Sequence, residues 1–459
     1  MKNILFFSLL GLAVFFTAHP LLLAQNILLS NVHIVDVEKD SILSNQDVLI
    51  RGGKIQYIKG HTGLLPAFRV EVIDGTGQYL IPGLWDMHVH PNREEDLNLY
   101  VAKGILGIRI MWGNPTHLSW REAIEKGEKV GPQMFMSGPI IEGTPPQEFS
   151  QVVAVDGRKM VDTKEQAGPA VSEQLEAGYD FIKVYNNLPK EAYRAIIKVA
   201  KKKRVAVAGH IPFEVGLLEA LKQKQRSIEH LRGYIQHLVP KDAPQQPGID
   251  LRSRELAWEY IDPDKIEKLA QKTTKSGSWN CPTLVVSRIL YPQEMMDKIT
   301  QQEEMKYLPQ ETVNFFKSDR ASIPWLSNFT EEDYQQVFEN LKKKQLLVKS
   351  LSDAGAKILA GTDTWLAGFD LHEELMLLSE SGLSNYETLR TATLYPAQYF
   401  EIEEEYGSIK PGKMANLVLL AGNPIEDISN TKKVTTVIHQ GKVMNKKVLD
   451  DLLEACLNN

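Results

Sequence analysis

Eight short apolar runs rich in β-branched residues, spaced by helix-like stretches, limit what this chain can fold into more than any other feature. They span 84–90, 104–112, 133–141, 181–186, 205–211, 227–231, 279–286 and 357–364. The intervening helical patterns cover 94–103, 117–126, 163–177, 189–203, 214–224 and 372–381. Strand–helix alternation on this scale predicts parallel strands with crossover helices, and eight such strands predict a (β/α)8 TIM barrel over residues 81–399. The longest strand-poor stretches, 232–278 and 287–356, exceed ordinary connections and are expected to form helices and lids over the barrel mouth. The polar, Pro-rich segment 241–248 reads as a loop.

The two ends of the chain have another texture. Residues 26–80 alternate in short strands broken by Gly and Asp turns, and the same pattern returns after about residue 400. The expectation is an α/β protein whose ends, 26–80 and 400–459, pair into one small β-sandwich. Before them, Lys2 precedes an apolar run from Ile4 to Ala18, and a second run follows from Leu21 to Ala24. This reads as a secretory signal peptide over residues 1–25, cleaved near Ala24 or Gln25. His19 and Pro20 interrupt the run and leave it short for a bilayer, so no stable membrane insertion is expected after cleavage. The mature protein is expected to be secreted or periplasmic.

Composition narrows the function classes. A net charge of −6 argues against a nucleic-acid surface, and basic clusters such as Lys201–Arg204 read as solvated helix faces. Two cysteines, Cys281 and Cys456, are too few for a disulfide scaffold. A small-molecule substrate is the partner expected, and the sequence is compatible with a homo-oligomer.

Six side chains fall at or near the ends of predicted strands: His88, His90, Lys183, His210, His230 and Asp363. The alternation of LWDMHVH puts His88 and His90 on one side of a strand, where two imidazoles can grip one metal. Lys183 lies in FIKVYN among apolar neighbours, and an unpaired buried ammonium is costly, so something must neutralise or pair with it. Each residue alone reads as a hydrogen-bonded, salt-bridged or turn-forming side chain. Their joint placement at the C-terminal strand ends, where barrel active sites assemble, reverses that reading. No Gly-rich phosphate loop or Gly-x-Ser-x-Gly elbow appears, which leaves nucleotide binding and serine hydrolysis without support.

The segments IPGLWDMHVH, FIKVYN, AGHIP, IEHLRGY and AGTDT, with the tail GSIKPGKMANLVLL, resemble the amidohydrolase superfamily. Within it they resemble the imidazolonepropionase-like and Xaa-Pro dipeptidase (prolidase)-like group. The chain departs from that group after the second strand, where Arg109 is followed by Ile110 rather than by aspartate. The resemblance implies two zinc ions, one held by His88, His90 and Asp363, the other by His210 and His230, with carboxylated Lys183 bridging them. It implies a metal-activated hydroxide as nucleophile, with Asp363 as general acid/base. Tyr234, by the same resemblance, would hydrogen-bond the substrate carbonyl or carboxylate.

Tyr185, two positions after Lys183, would line the pocket, and Trp112 and Asn114 would shape its second-strand side. Arg109 and Arg232 are candidates for bidentate carboxylate binding. Trp85 and Trp365 read as packing residues, and Asp86 as a group that orients a backbone or ligand atom. The leading expectation is hydrolysis of a C–N amide bond in a dipeptide or N-acyl amino acid. A lactonase or phosphotriesterase-type esterase and a mononuclear imidazolone-type cyclic amidohydrolase or deaminase stand as alternatives. A non-catalytic binding protein of the same fold is disfavoured, because all six ligand positions are filled.

Overall fold

The computed structural model describes residues 26–145 and 157–457. The signal-peptide segment, residues 1–25, lies outside the described residues. No helix among the described residues is long and apolar enough to cross a membrane.

Strands from both ends of the chain share one eight-stranded sheet. The N-terminal part supplies β1 (Ile27–Asp36), β2 (Ser41–Arg51), β3 (Lys54–Gly60), β4 (Glu71–Asp74) and β5 (Tyr79–Pro82). The C-terminal strands Leu417–Leu420, Val434–His439 and Lys442–Asn445 complete it, with Leu417–Leu420 antiparallel to β5. Strand periodicity gives this sheet apolar groups on both faces. Leu417 and Leu419 join a core with Ile27, Leu29, Val48 and Ile50, whereas Val418 and Leu420 join the main core of the molecule.

The central strands come in two sheets. β6 (Leu84–Val89), β7 (Ile105–Ile110) and β8 (Gln133–Met136) run parallel. β9 (Ile141–Glu142) and β10 (Lys159–Met160) begin the second sheet, which continues through β11 (Ile182–Val184), β12 (Val207–Gly209), β13 (Ser227–Glu229) and β14 (Trp279–Cys281). The ladders do not run unbroken around a ring. Isolated parallel bridges, Ser137 to Phe181 and Asn280 to Ile358, link the pieces, and the Met87 N–H donates to the Ala360 carbonyl.

Several expected strands are shorter than their apolar runs, for local reasons. The run 133–141 is divided between β8 and β9. The run 279–286 keeps three strand residues, then Thr283 turns left-handed and Leu284–Leu290 winds into a 3₁₀ helix. Two N–H groups of that turn, from Leu284 and Val285, donate to the buried Glu374 carboxylate rather than to a strand. Residues 357–364 make one bridge, because Asp363 is also left-handed and its N–H, with that of Thr362, donates to the His88 carbonyl.

The crossover helices follow the sequence signals. Thr163 caps Lys164–Glu176 in a capping box with Gln166. Lys190–Lys203 buries Ala192, Tyr193, Ile196, Ile197 and Ala200, one stripe at helical spacing, and leaves its lysines outside. The long stretches after β13 and β14 fold into helices, among them Leu251–Leu256, Ile266–Ser276 and the 23-residue Glu331–Asp353. Cys281 and Cys456 are free, buried thiols.

Candidate active site

The strand ends bring His88, His90, Lys183, His210, His230 and Asp363 to one place. Lys183 projects from β11, whose flanking Ile182 and Val184 pack into the main core on the opposite side. His210 and His230 follow directly on β12 and β13, with the His210 N–H donating to Val184 O and the His230 N–H to Cys281 O. His230, Leu231, Thr283 and Asp363 all have left-handed backbones, a cost that functional sites commonly store.

Asp363 is the hub. One carboxylate oxygen lies 3.2 Å from His90 Nε2 and 3.6 Å from His88 Nε2, and the other lies 3.4 Å from His230 Nε2. The His88 ring centroid lies 5.3 Å from that of His90 and 4.7 Å from that of His230, and His210 lies 4.8 Å from His230. Burial pushes all four imidazoles below their ordinary range, and His90 falls to about 4. They therefore stand neutral, with lone pairs available. Burial works against the Asp363 carboxylate, but His88, His90 and His230 outweigh it and hold it ionised. Lys183 is buried and lowered to about 8 by that burial, against the opposing pull of Asp363 and Glu229.

The outer nitrogen of three of the four rings is already engaged. His88 Nδ1 donates to Glu229 Oε2 at 2.9 Å, His210 Nδ1 to Asn186 Oδ1 at 2.8 Å, and His230 Nδ1 lies 2.6 Å from Thr283 Oγ1. This leaves the Nε2 atoms aimed inward, and His88 Nε2 is buried with no hydrogen-bond partner among the described residues. His88, His90 and Asp363 place one donor atom each within 4.8 Å of one another. Neutral imidazoles tethered through Nδ1, with a carboxylate between them, are a donor set that fits a divalent metal.

Other expected residues divide between the site and the surrounding core. A cavity of about 720 Å³ is lined by His90, Lys183, His210, His230 and Asp363, with Tyr185, Trp112 and Asn114 on its wall as expected. Tyr185 stacks on His210, centroids 4.0 Å apart. Asp86 accepts from the N–H groups of His88 and Thr362, and so ties the His88 strand to the Asp363 turn. Trp85 packs against Phe135 and Phe400 as expected.

Three expectations require correction. Tyr234 does not line the cavity: it is fully buried, and its hydroxyl meets Asn280 Oδ1 at 2.8 Å and Thr273 Oγ1 at 3.0 Å. Arg109 does not face substrate, because its Nη2 forks onto both oxygens of Glu229 in the core. Trp365 is not core packing but lines the cavity, 40% exposed, beside Phe315 and Phe316.

Glu229, Asn186 and Thr283 were missed as supports of the imidazoles. Glu229 directly precedes His230 and Asn186 ends the Lys183 strand motif, so proximity to candidate ligands was their available signal. Trp258, Arg254 and Lys344 reach the cavity from the inserted helices, and no local pattern announced them.

Comparison with known proteins agrees with this geometry. The chain is 23% identical, over 465 aligned positions covering 92% of it and 94% of its relative, to a 5-methylthioadenosine/S-adenosylhomocysteine deaminase of Caldanaerobacter subterraneus subsp. tengcongensis. In fold it resembles a Xaa-Pro dipeptidase solved with methionine in its active site, with a TM-score of 0.67 and 22% identity over 92% of this chain and 100% of the other. It also resembles the bottromycin amidohydrolase, with a TM-score of 0.73 and 20% identity over 94% of this chain and 90% of the other. Residues 79–444 match the Amidohydrolase family, and the chain belongs to that family of hydrolases.

Proposed function

We propose that this protein is a metal-dependent hydrolase that cleaves a C–N amide bond, in a dipeptide or an N-acyl amino acid. On this reading the central strands form one (β/α)8 barrel over residues 81–399. The chain ends, 26–80 and 400–459, form a separate β-sandwich domain, and residues 1–25 direct export to a periplasm or the cell exterior. The observation that carries the reading is the convergence of His90, His210, His230, Asp363 and Lys183 at one cavity, with His88 buried behind them and its Nε2 3.6 Å from Asp363.

His88, His90 and Asp363 would hold one zinc ion, and His210 and His230 a second, with Lys183 carrying a carbamate between them. When bound, the ions would supply a hydroxide nucleophile at neutral pH and polarise the scissile carbonyl. The chain's own groups do the rest. Reaction with carbon dioxide and loss of a proton would turn the Lys183 ammonium into a carbamate anion, which suits a site that would hold two divalent cations. Asp363, whose carboxylate the histidines keep ionised, accepts the proton of the attacking water and passes it to the leaving nitrogen. Tyr185 and the tryptophans on the cavity wall exclude water and pack the apolar parts of the substrate.

A second reading, a deaminase using one ion, is favoured by the relative that matches 92% of the chain. Metal stoichiometry separates the two. Plasma mass spectrometry of the purified protein should give about two metals per chain, falling in Lys183→Ala together with amine release from a dipeptide library. One metal, unchanged in Lys183→Ala, with ammonia released from purine nucleosides, would establish the deaminase instead.

A further inference from the structure

One guanidinium at the cavity has no assigned partner. Arg232 follows His230 by two residues, and its Nη1 is buried with no hydrogen-bond partner among the described residues. No carboxylate among the described residues forms an ion pair with it, unlike the neighbouring cations. Arg109 is matched by Glu229 at 2.8 Å, Arg158 by Glu142 at 2.9 Å, and Lys344 by Glu255 at 2.6 Å. A guanidinium nitrogen buried without a partner is expensive, which makes an anionic ligand the natural complement.

The surroundings add to this. Arg254 stands beside Arg232, with its Nη1 committed to the Ile249 carbonyl at 3.0 Å and its Nε 3.9 Å from Glu255 Oε1. Burial, and then Arg232, bring the Arg254 guanidinium down to about 9. Both arginines line the main cavity and also an adjoining one of about 240 Å³, whose wall includes Pro212, Phe213, His237 and Ile249. The two cations thus stand where a side chamber meets the chamber that holds Asp363 and the histidines.

We infer that Arg232, backed by Arg254, is the subsite for the free carboxylate of the substrate's leaving amino acid. The inference rests on the C–N hydrolase reading, and it deepens that reading by requiring an anionic end. With the carboxylate on Arg232, the scissile carbonyl lies toward Asp363 and the residue's side chain is free to enter the adjoining chamber. Amino-acid amides, which lack the negative charge, leave Arg232 unmatched and bind poorly.

The test compares free L-phenylalanine, L-leucine and L-proline with their carboxamides, by calorimetric titration of the metal-loaded protein. The wild type should bind at least one acid about 10- to 100-fold more tightly than its amide, the range expected for charge-assisted hydrogen bonds. Arg232→Met should abolish that preference with little change for the amide, and Arg232→Lys should restore part of it, since lysine keeps the charge but loses the fork. A wild type that binds acid and amide equally overturns the subsite, whether or not the variants fold. So does an Arg232→Met protein that keeps the preference. Acid preference in a protein that hydrolyses no N-acyl amino acid or dipeptide would instead overturn the proposed reaction and leave the anion subsite standing.

Discussion

Arg109 donates from Nη2 to both carboxylate oxygens of Glu229, at 3.0 and 2.8 Å, and neither side chain is exposed to solvent. Burial disfavours the Glu229 anion, but Arg109 and His88 overcome it and hold the carboxyl well below its usual range. The same carboxylate accepts the Nδ1 proton of His88, so the ion pair behind the site fixes which nitrogen of His88 faces inward. Glu229→Gln breaks the pair and leaves an uncompensated guanidinium. Urea unfolding should show a loss of about 3–5 kcal/mol, and metal titration a loss of affinity of about 10- to 100-fold. A variant of unchanged stability and metal content would show that the pair neither holds the core nor orients His88.

Tyr234 supplies a prediction that separates structure from catalysis. Its hydroxyl satisfies Asn280 inside the core, so Tyr234→Phe leaves a buried amide oxygen without a donor. Stability should fall by about 1–3 kcal/mol, while kcat and KM on the best amide substrate stay within twofold. A large drop in kcat with unchanged stability would return Tyr234 to the reaction.

The contrast between His88 and Tyr234 shows what the sequence carried. Strand periodicity is a local rule, so two histidines two residues apart could be put on one face, and a helix could be read over 163–177, without tertiary knowledge. Tyr234 lies past two consecutive left-handed residues, His230 and Leu231, which turn the chain so that the phenol enters the core. No spacing rule anticipates that turn. The Arg109–Glu229 pair joins residues 120 positions apart, and its existence depends on which strands become neighbours. The inserted helices hid Arg254, Trp258 and Lys344 for the same reason, since each reaches the cavity through the packing of long connections. Close backbone approach was equally invisible, although it fixes the positions of the ligands.

Gly209 makes one such close approach between the strands that carry Lys183 and His210. It lies between Ala208 and His210 with φ of +121°, and a Cβ there would fall on the Val184 carbonyl oxygen of the neighbouring strand. Val184 O is also the acceptor for the His210 N–H. Gly209→Ala therefore has to open β11 from β12 next to both Lys183 and His210. Strain of this kind costs about 1–3 kcal/mol, on top of the steric overlap. Soluble Gly209→Ala protein should melt earlier than wild type and bind fewer metal ions; wild-type metal content in a folded variant would contradict the geometry.

His439 gives a pH dependence remote from the candidate metal ligands. It is buried in the C-terminal strand Val434–His439, its Nε2–H donates to the Gly131 carbonyl at 2.9 Å, and its Nδ1 has no partner among the described residues. Burial lowers it from 6.5 to about 4, with the Gly131 bond opposing and Lys442 adding to the shift. The native state keeps this imidazole neutral, whereas the unfolded chain takes up a proton below pH 6.5. Its contribution is therefore full above pH 6.5 and is lost as the pH falls toward 4. The loss runs at about 1.4 kcal/mol per pH unit, or roughly 3 kcal/mol in all. His439→Gln keeps a donor for Gly131 and removes the titration. Urea unfolding at intervals from pH 7 to pH 4.5 should show the wild type losing stability more steeply than the variant, and parallel curves would exclude His439 as the acid-sensitive joint between the terminal sheet and the segment leading into β8.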